Sequence, residues 1–284
     1  MSHVLKSGLS VFTTDNSIIK VKDTITLVKQ PISIGLNNAI AIEFNLSSQR
    51  YYIASFSSIK VYDSDFTLID TINSISGIVS MQLDILNNRL IVTERNTPSF
   101  QSINLSTHAI TTIFSITGVT EIVRFGYFDS TSNRFYVGTN QVYTFSTTGS
   151  LIGIISDSRL QNSNVTNIIK NPYTGLLMIS INNKILVADP ASLLVQSISI
   201  NGTGVETPTF IRFDPINSNS YWLCNTAYSY ITEMSVATNT AKRIIALGNS
   251  TPFGIWVENT LGIYSLIIAD AAWNQFYRLK ERLV

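Results

Sequence analysis

The chain has 284 residues, 45% of them hydrophobic and only 13% charged, with 19 basic residues set against 18 acidic ones. That apolar content can fill a sizeable core, whereas a net charge of +1 gives no field to draw nucleic acid or an anionic membrane surface. The one cysteine, Cys224, excludes an intrachain disulfide framework, and no apolar run approaches the ~20 residues of a membrane-spanning helix.

The first 38 residues carry short β-type runs at 9–13, 18–22 and 24–29, with 3–6 as a stunted first strand. They lack the apolar stretch of a Sec signal, so no export signal is read there. From residue 39 onward one pattern repeats. The strand positions ahead of a turn, Phe44, Leu83, Phe125, Lys170, Phe213 and Val257, recur at steps of 39 to 45 residues. The turns that follow read NLSSQR, DILNNR, GYFDSTSNR, NPYTG, DPINSNS and ENTLG, rich in the Asn, Asp, Ser and Gly that tight turns require. A second, third and fourth strand complete each unit. The clearest unit spans 207–246, with strands at 210–213, 221–225, 230–234 and 242–246, and its Trp222 and Phe213 are expected in the core. The last unit stops after three strands, which leaves the edge of its third strand open to the chain's own N-terminus or to a partner.

Four short strands per 40–45 residues is the period of β-propeller blades. Inner strands such as AIAIEF and FIRF are apolar on both faces, so each blade needs a neighbour on either side. The expectation is a single all-β propeller domain over residues 1–284. The period favours seven four-stranded blades. In the alternative, 24–29 supplies the missing outer strand of the last unit, which closes six blades and leaves 1–22 as an extra hairpin. The segments INLSTHAITTI, VADPASLLVQSI and MSVATNTAKRII resemble the third-strand–turn–fourth-strand module of YncE-like and NHL-type propeller repeats, and FDPINSNSYWL is similar to their first-turn-second module. That resemblance implies a propeller and, commonly for such repeats, a binding role.

Candidate chemistry is sparse. His3 and His108 have no His, Cys or carboxylate at ligand spacing and read as terminal and solvated turn residues. Cys224 lies in the apolar strand YWLC, where a buried inert thiol is expected. There is no phosphate loop, GxSxG elbow or HExxH. No catalytic residue, metal ligand or cofactor is assigned. The one polar constellation lies immediately before the repeat positions of the first strands: Glu43, Gln82, Arg124, Ile169, Arg212 and Trp256. In a propeller these line the central channel as a ring, where charges among apolar residues must be paired or wet. Glu43, Gln82, Arg124, Arg212 and Trp256 are therefore the candidate binding residues for a small polar ligand.

The function expected is a non-catalytic binding or structural module with a protein partner, no nucleic acid and no membrane insertion. A surface rich in Ser, Thr and Asn suits a secreted, cell-surface or virion-associated protein. The alternative resembles the lactonase and gluconolactonase propellers, with Asn37, Asn38, Glu121, Asn164, Asn167 and Glu206 as oxygen donors at a channel mouth.

Overall fold

A computed structural model describes residues 10–12, 18–20, 26–33, 38–161, 163–260, 263–271 and 275–282. Near the N-terminus, β1 (Ser10–Phe12) and β2 (Ile18–Lys20) form a two-stranded sheet, followed by β3 (Thr26–Ser33). The first blade then comprises β4 (Ala41–Asn45), β5 (Arg50–Ala54), β6 (Ile59–Tyr62) and β7 (Leu68–Ile72). The second holds β8 (Ile78–Asp84), β9 (Arg89–Glu94), β10 (Ser99–Asn104) and β11 (Ile110–Ser115). The third holds β12 (Phe125–Asp129), β13 (Arg134–Gly138), β14 (Val142–Ser146) and β15 (Leu151–Ile155). The fourth holds β16 (Val165–Lys170), β17 (Leu177–Ile181), β18 (Lys184–Asp189) and β19 (Leu194–Ile200). The fifth holds β20 (Pro208–Phe213), β21 (Ser220–Asn225), β22 (Tyr230–Ser235) and β23 (Ala241–Ala246). In the sixth, β24 (Pro252–Thr260), β25 (Ile263–Asp270) and β26 (Gln275–Arg282) are completed by β3.

The six inner strands touch in a closed cycle, β4 to β8, β12, β16, β20, β24 and back to β4. The protein is thus a six-bladed β-propeller of antiparallel four-stranded sheets. The seven blades favoured by the period are corrected to six. The reason is the pairing of β3 along the whole of β26, from Ser33 opposite Gln275 to Thr26 opposite Arg282. This segment closes the last blade and cannot belong to a blade of its own, while β1 and β2 stand in a separate sheet. The stunted strand at 3–6 lies outside the described residues.

The core is divided among the interfaces between blades. One cluster joins Tyr52 and Val61 of the first blade to Met81 and Val92 of the second, and a corresponding cluster fills each successive gap. The ring closes where Ile267 and Ala269 of the sixth blade pack on Ile42 and Tyr51 of the first. Second strands are accordingly buried on both faces, as in β17 and β21, whereas the outer strands β7 and β15 are mostly exposed.

The turns explain why Asn and Asp recur. Asn45, Asp84, Asp129, Asn171 and Asp214 close the first strands, and all are at most 7% exposed. Asn45, Asp129, Asn171 and Asp214 accept backbone N–H groups two residues on, from Ser47, Thr131, Tyr173 and Ile216. Asp84 instead accepts from the Asn87 amide and the Arg89 guanidinium. The turns between third and fourth strands repeat the device at Asp63, Asn104 and Asp189. Such Asx turns satisfy donors that the strand ladder leaves over.

Candidate functional site: the central channel

The first strands frame a central cavity of about 250 Å³, bordered by Glu43, Gln82, Phe125, Tyr127, Asn167, Lys170, Phe210 and Arg212 among others. The register fixes which residues are equivalent. Two positions before each turn-closing residue, the six blades carry Glu43, Gln82, Tyr127, Ile169, Arg212 and Trp256, opposite Tyr52, Ile91, Tyr136, Met178, Trp222 and Ile267. Trp256 does not border the cavity, but five of the six ring positions, its own included, stand in the register where the sequence spacing put them.

Arg124 does not. It precedes β12, is half-buried, donates its backbone N–H to Gly138, and is absent from the cavity wall. The equivalent residue is Tyr127. The cause is local: Tyr127 and Phe128 continue the strand as far as Asp129, so the turn begins three residues later than GYFDSTSNR suggests.

The remaining ring residues make specific contacts. Arg212 crosses from the fifth blade to the first, where its Nη2 donates to Glu43 Oε1 at 2.7 Å and to the Ile42 carbonyl at 3.1 Å. Its Nε reaches the Ile255 carbonyl at 3.3 Å, and its guanidinium lies 4.7 Å from the centre of the Trp256 ring. Burial raises the Glu43 carboxyl, with the adjacent Arg212 opposing that rise. Gln82 reads the backbone of the next blade as a strand would, its amide donating to the Phe128 carbonyl and its oxygen accepting the Phe128 N–H. Burial likewise raises the Tyr127 hydroxyl, partly offset by the Lys170 backbone N–H. Trp256 is half-buried, packs on Phe44 at 6.1 Å, and has an Nε1 with no partner among the described residues.

Several buried acids outside the ring bind neighbouring blades together. Asp129 holds Lys170 of the fourth blade at 2.8 Å, Asp214 accepts from Tyr264 of the sixth, and Glu258 accepts from Tyr51 of the first. Glu258 also pairs with Arg278 at 2.9 Å. The oxygen donors of the hydrolase alternative do not assemble. Glu121 accepts from Tyr143, Glu206 from the Gly204 N–H, and Asn167 faces the cavity, while Asn37 lies outside the described residues. Among the described residues no three His, Cys, Asp or Glu side chains converge on a point. Cys224 is fully buried, which pushes its thiol up and away from nucleophilic reactivity. His108 occupies a turn as expected, but it is not solvated: its side chain is 19% exposed and its Nδ1 lies 2.6 Å from Asp70.

Sequence reasoning missed Tyr127 and Lys170 as cavity residues, and placed Asn167 at the channel mouth only as an oxygen donor of the hydrolase alternative. The signal for Tyr127 was Asp129, whose turn-closing role marks the strand end as Asp214 does in the fifth blade. No model of a known protein family matches the chain, and no curated protein matches it.

Proposed function

We propose that this protein is a non-catalytic binding or structural module, a protein-interaction scaffold that serves in a surface or virion assembly. One observation carries the reading. The turns between first and second strands present apolar side chains to solvent in four blades: Leu46 is 69% exposed, Leu86 90%, Tyr173 50% and Ile216 45%. Each follows a turn-closing residue by one or two positions, so they recur around the channel on equivalent turns. Repeated exposed apolar groups on a rigid ring suit a protein partner. The commitment of Glu43, Asp84, Asp129, Asp214 and Glu258 to cations, hydroxyls and turn donors supports a structural use of the inner acids. The low-charge, Ser-, Thr- and Asn-rich composition supports the extracellular or particle-bound setting.

Calorimetric titration with calcium and zinc, alongside an assay of lactone hydrolysis, tests this reading. The scaffold should give no stoichiometric metal binding and no turnover. Metal-dependent hydrolysis would replace it with the lactonase-like alternative. Leu86→Asp and Ile216→Asp should leave melting unchanged yet remove proteins that co-purify with the native chain from its source.

A further inference from the structure

We propose that the central cavity binds a neutral, polyhydroxylated ligand of about monosaccharide size, an inference that rests on the binding-module reading. Charge sets the first constraint. Both cations on the cavity wall already have carboxylates: Arg212 is held by Glu43 at 2.7 Å and Lys170 by Asp129 at 2.8 Å. An anionic ligand would have to displace a carboxylate, and a cationic ligand a lysine or arginine. A neutral ligand disturbs neither pair.

The second constraint is the polar capacity that remains. Asn167 borders the cavity and is only 2% exposed, yet its Oδ1 has no partner among the described residues. A buried amide oxygen is seldom left unpaired without a reason. Arg212 commits Nε and Nη2 to Ile255, Ile42 and Glu43, leaving Nη1 without an acceptor among the described residues. The Tyr127 side chain adds a hydroxyl to the same wall. The wall therefore offers an acceptor, a donor and a hydroxyl, and a ligand hydroxyl, which both donates and accepts, can satisfy any of them.

The third constraint is shape. Phe125, Ile168 and Phe210 give the cavity apolar surfaces against which the C–H face of a sugar ring can pack. The cavity has a volume of about 250 Å³. That is room for one pyranose ring. Free sugars and the terminal residue of a glycan share this chemistry.

The full chain should be titrated by calorimetry with glucose, galactose, mannose and xylose, with acetate and inorganic phosphate as charged probes. At least one neutral sugar should bind, and the anions should not. The methyl glycoside of the sugar that binds then separates the sources: equal affinity points to a glycan terminus, and lost affinity to the free sugar. Tyr127→Phe, which removes only the hydroxyl, should weaken binding about tenfold, with a small fall in melting temperature because the Lys170 backbone N–H loses its acceptor. If that variant fails to fold, Asn167→Ser carries the same expectation. Absence of any sugar binding, binding of the anions in place of sugars, or unchanged affinity in the folded variants would overturn the proposal. A failure of sugar binding without metal-dependent hydrolysis sinks this inference alone, whereas hydrolysis sinks the module reading beneath it.

Discussion

Asp214 shows how much one side chain does at the end of an inner strand. At 1% exposure it accepts the Ile216 and Asn217 N–H groups and the Tyr264 hydroxyl. Asp214→Ala strands all three donors and should destabilise by about 2–4 kcal/mol in urea unfolding, with Asp214→Asn losing roughly half as much because its oxygen still closes the turn. Glu43→Gln is milder. Arg212 keeps the Ile42 and Ile255 carbonyls, so the loss should be about 2 kcal/mol, below the usual effect of breaking a buried pair. Glu233 links stability to pH. Burial alone would raise its carboxyl, but Ser220, Arg243 and Lys242 together outweigh burial and hold it below its ordinary value of 4.5. A depressed pKa in the folded state gives stability that is complete above pH 4.5 and lost as the pH falls through the folded pKa. The melting temperature of Glu233→Gln should therefore be lower than that of the parent at pH 7 and converge on it in acid. At this scale the sequence was legible where a residue's role follows from repeat spacing, as at Glu43 and Arg212. It was not legible at Arg124, because an aromatic pair inside a turn-like string gives no sign of where the strand stops. Phe213 was expected in the core with Trp222, yet it is half-buried because it borders the cavity.

Among the elements, the outer strands divide into two kinds. In the first five blades the pairing of third and fourth strands carries a register shift, between Val61 and Tyr62 in the first and between Glu233 and Met234 in the fifth, for example. Such irregularities spoil an edge as a template for another chain. The pairing of β26 with β3 is regular over eight positions, and Pro31 sits within β3, where the lack of an N–H is tolerated only on an outermost strand. Truncation that removes residues 1–25 keeps this closure and should lower the melting temperature by only a few degrees. Removal of residues 1–33 uncovers the backbone of 275–282 and should cost several kcal/mol or produce oligomers visible by size-exclusion chromatography. Equal behaviour of the two truncations would mean that β3 contributes little to closure. The hairpins were readable from their turn residues and alternating strands, which are local signals. The match of β3 to β26 was legible only as the six-blade alternative and could not be preferred, because pairing between strands at opposite ends of a chain leaves no mark on the local sequence of either; a period near 41 residues also divides 284 into seven as readily as six blades with a leader.

For the molecule as a whole, burial lies between blades, so no blade completes its core without both neighbours. Far-ultraviolet circular dichroism should show β structure with almost no helix, since the described residues include only two three-residue 3-10 turns, and a helical content near the ~30% of an average globular protein would contradict the ring. Closing that ring joins β3 to β26, segments roughly 240 residues apart in sequence. During synthesis at ~5–20 residues per second, β3 has emerged and must wait on the order of 10–50 s before its partner strand exists. Throughout that interval an extended segment and the open flank of the first blade are both available to other nascent chains. A circular permutant that carries 26–33 after 282 through a two-residue turn makes the same contact local, and should refold faster and with a higher yield at high protein concentration while melting close to the protein that lacks residues 1–25. The strand that seals the finished molecule is thus also the one that sets how long each new copy stays vulnerable.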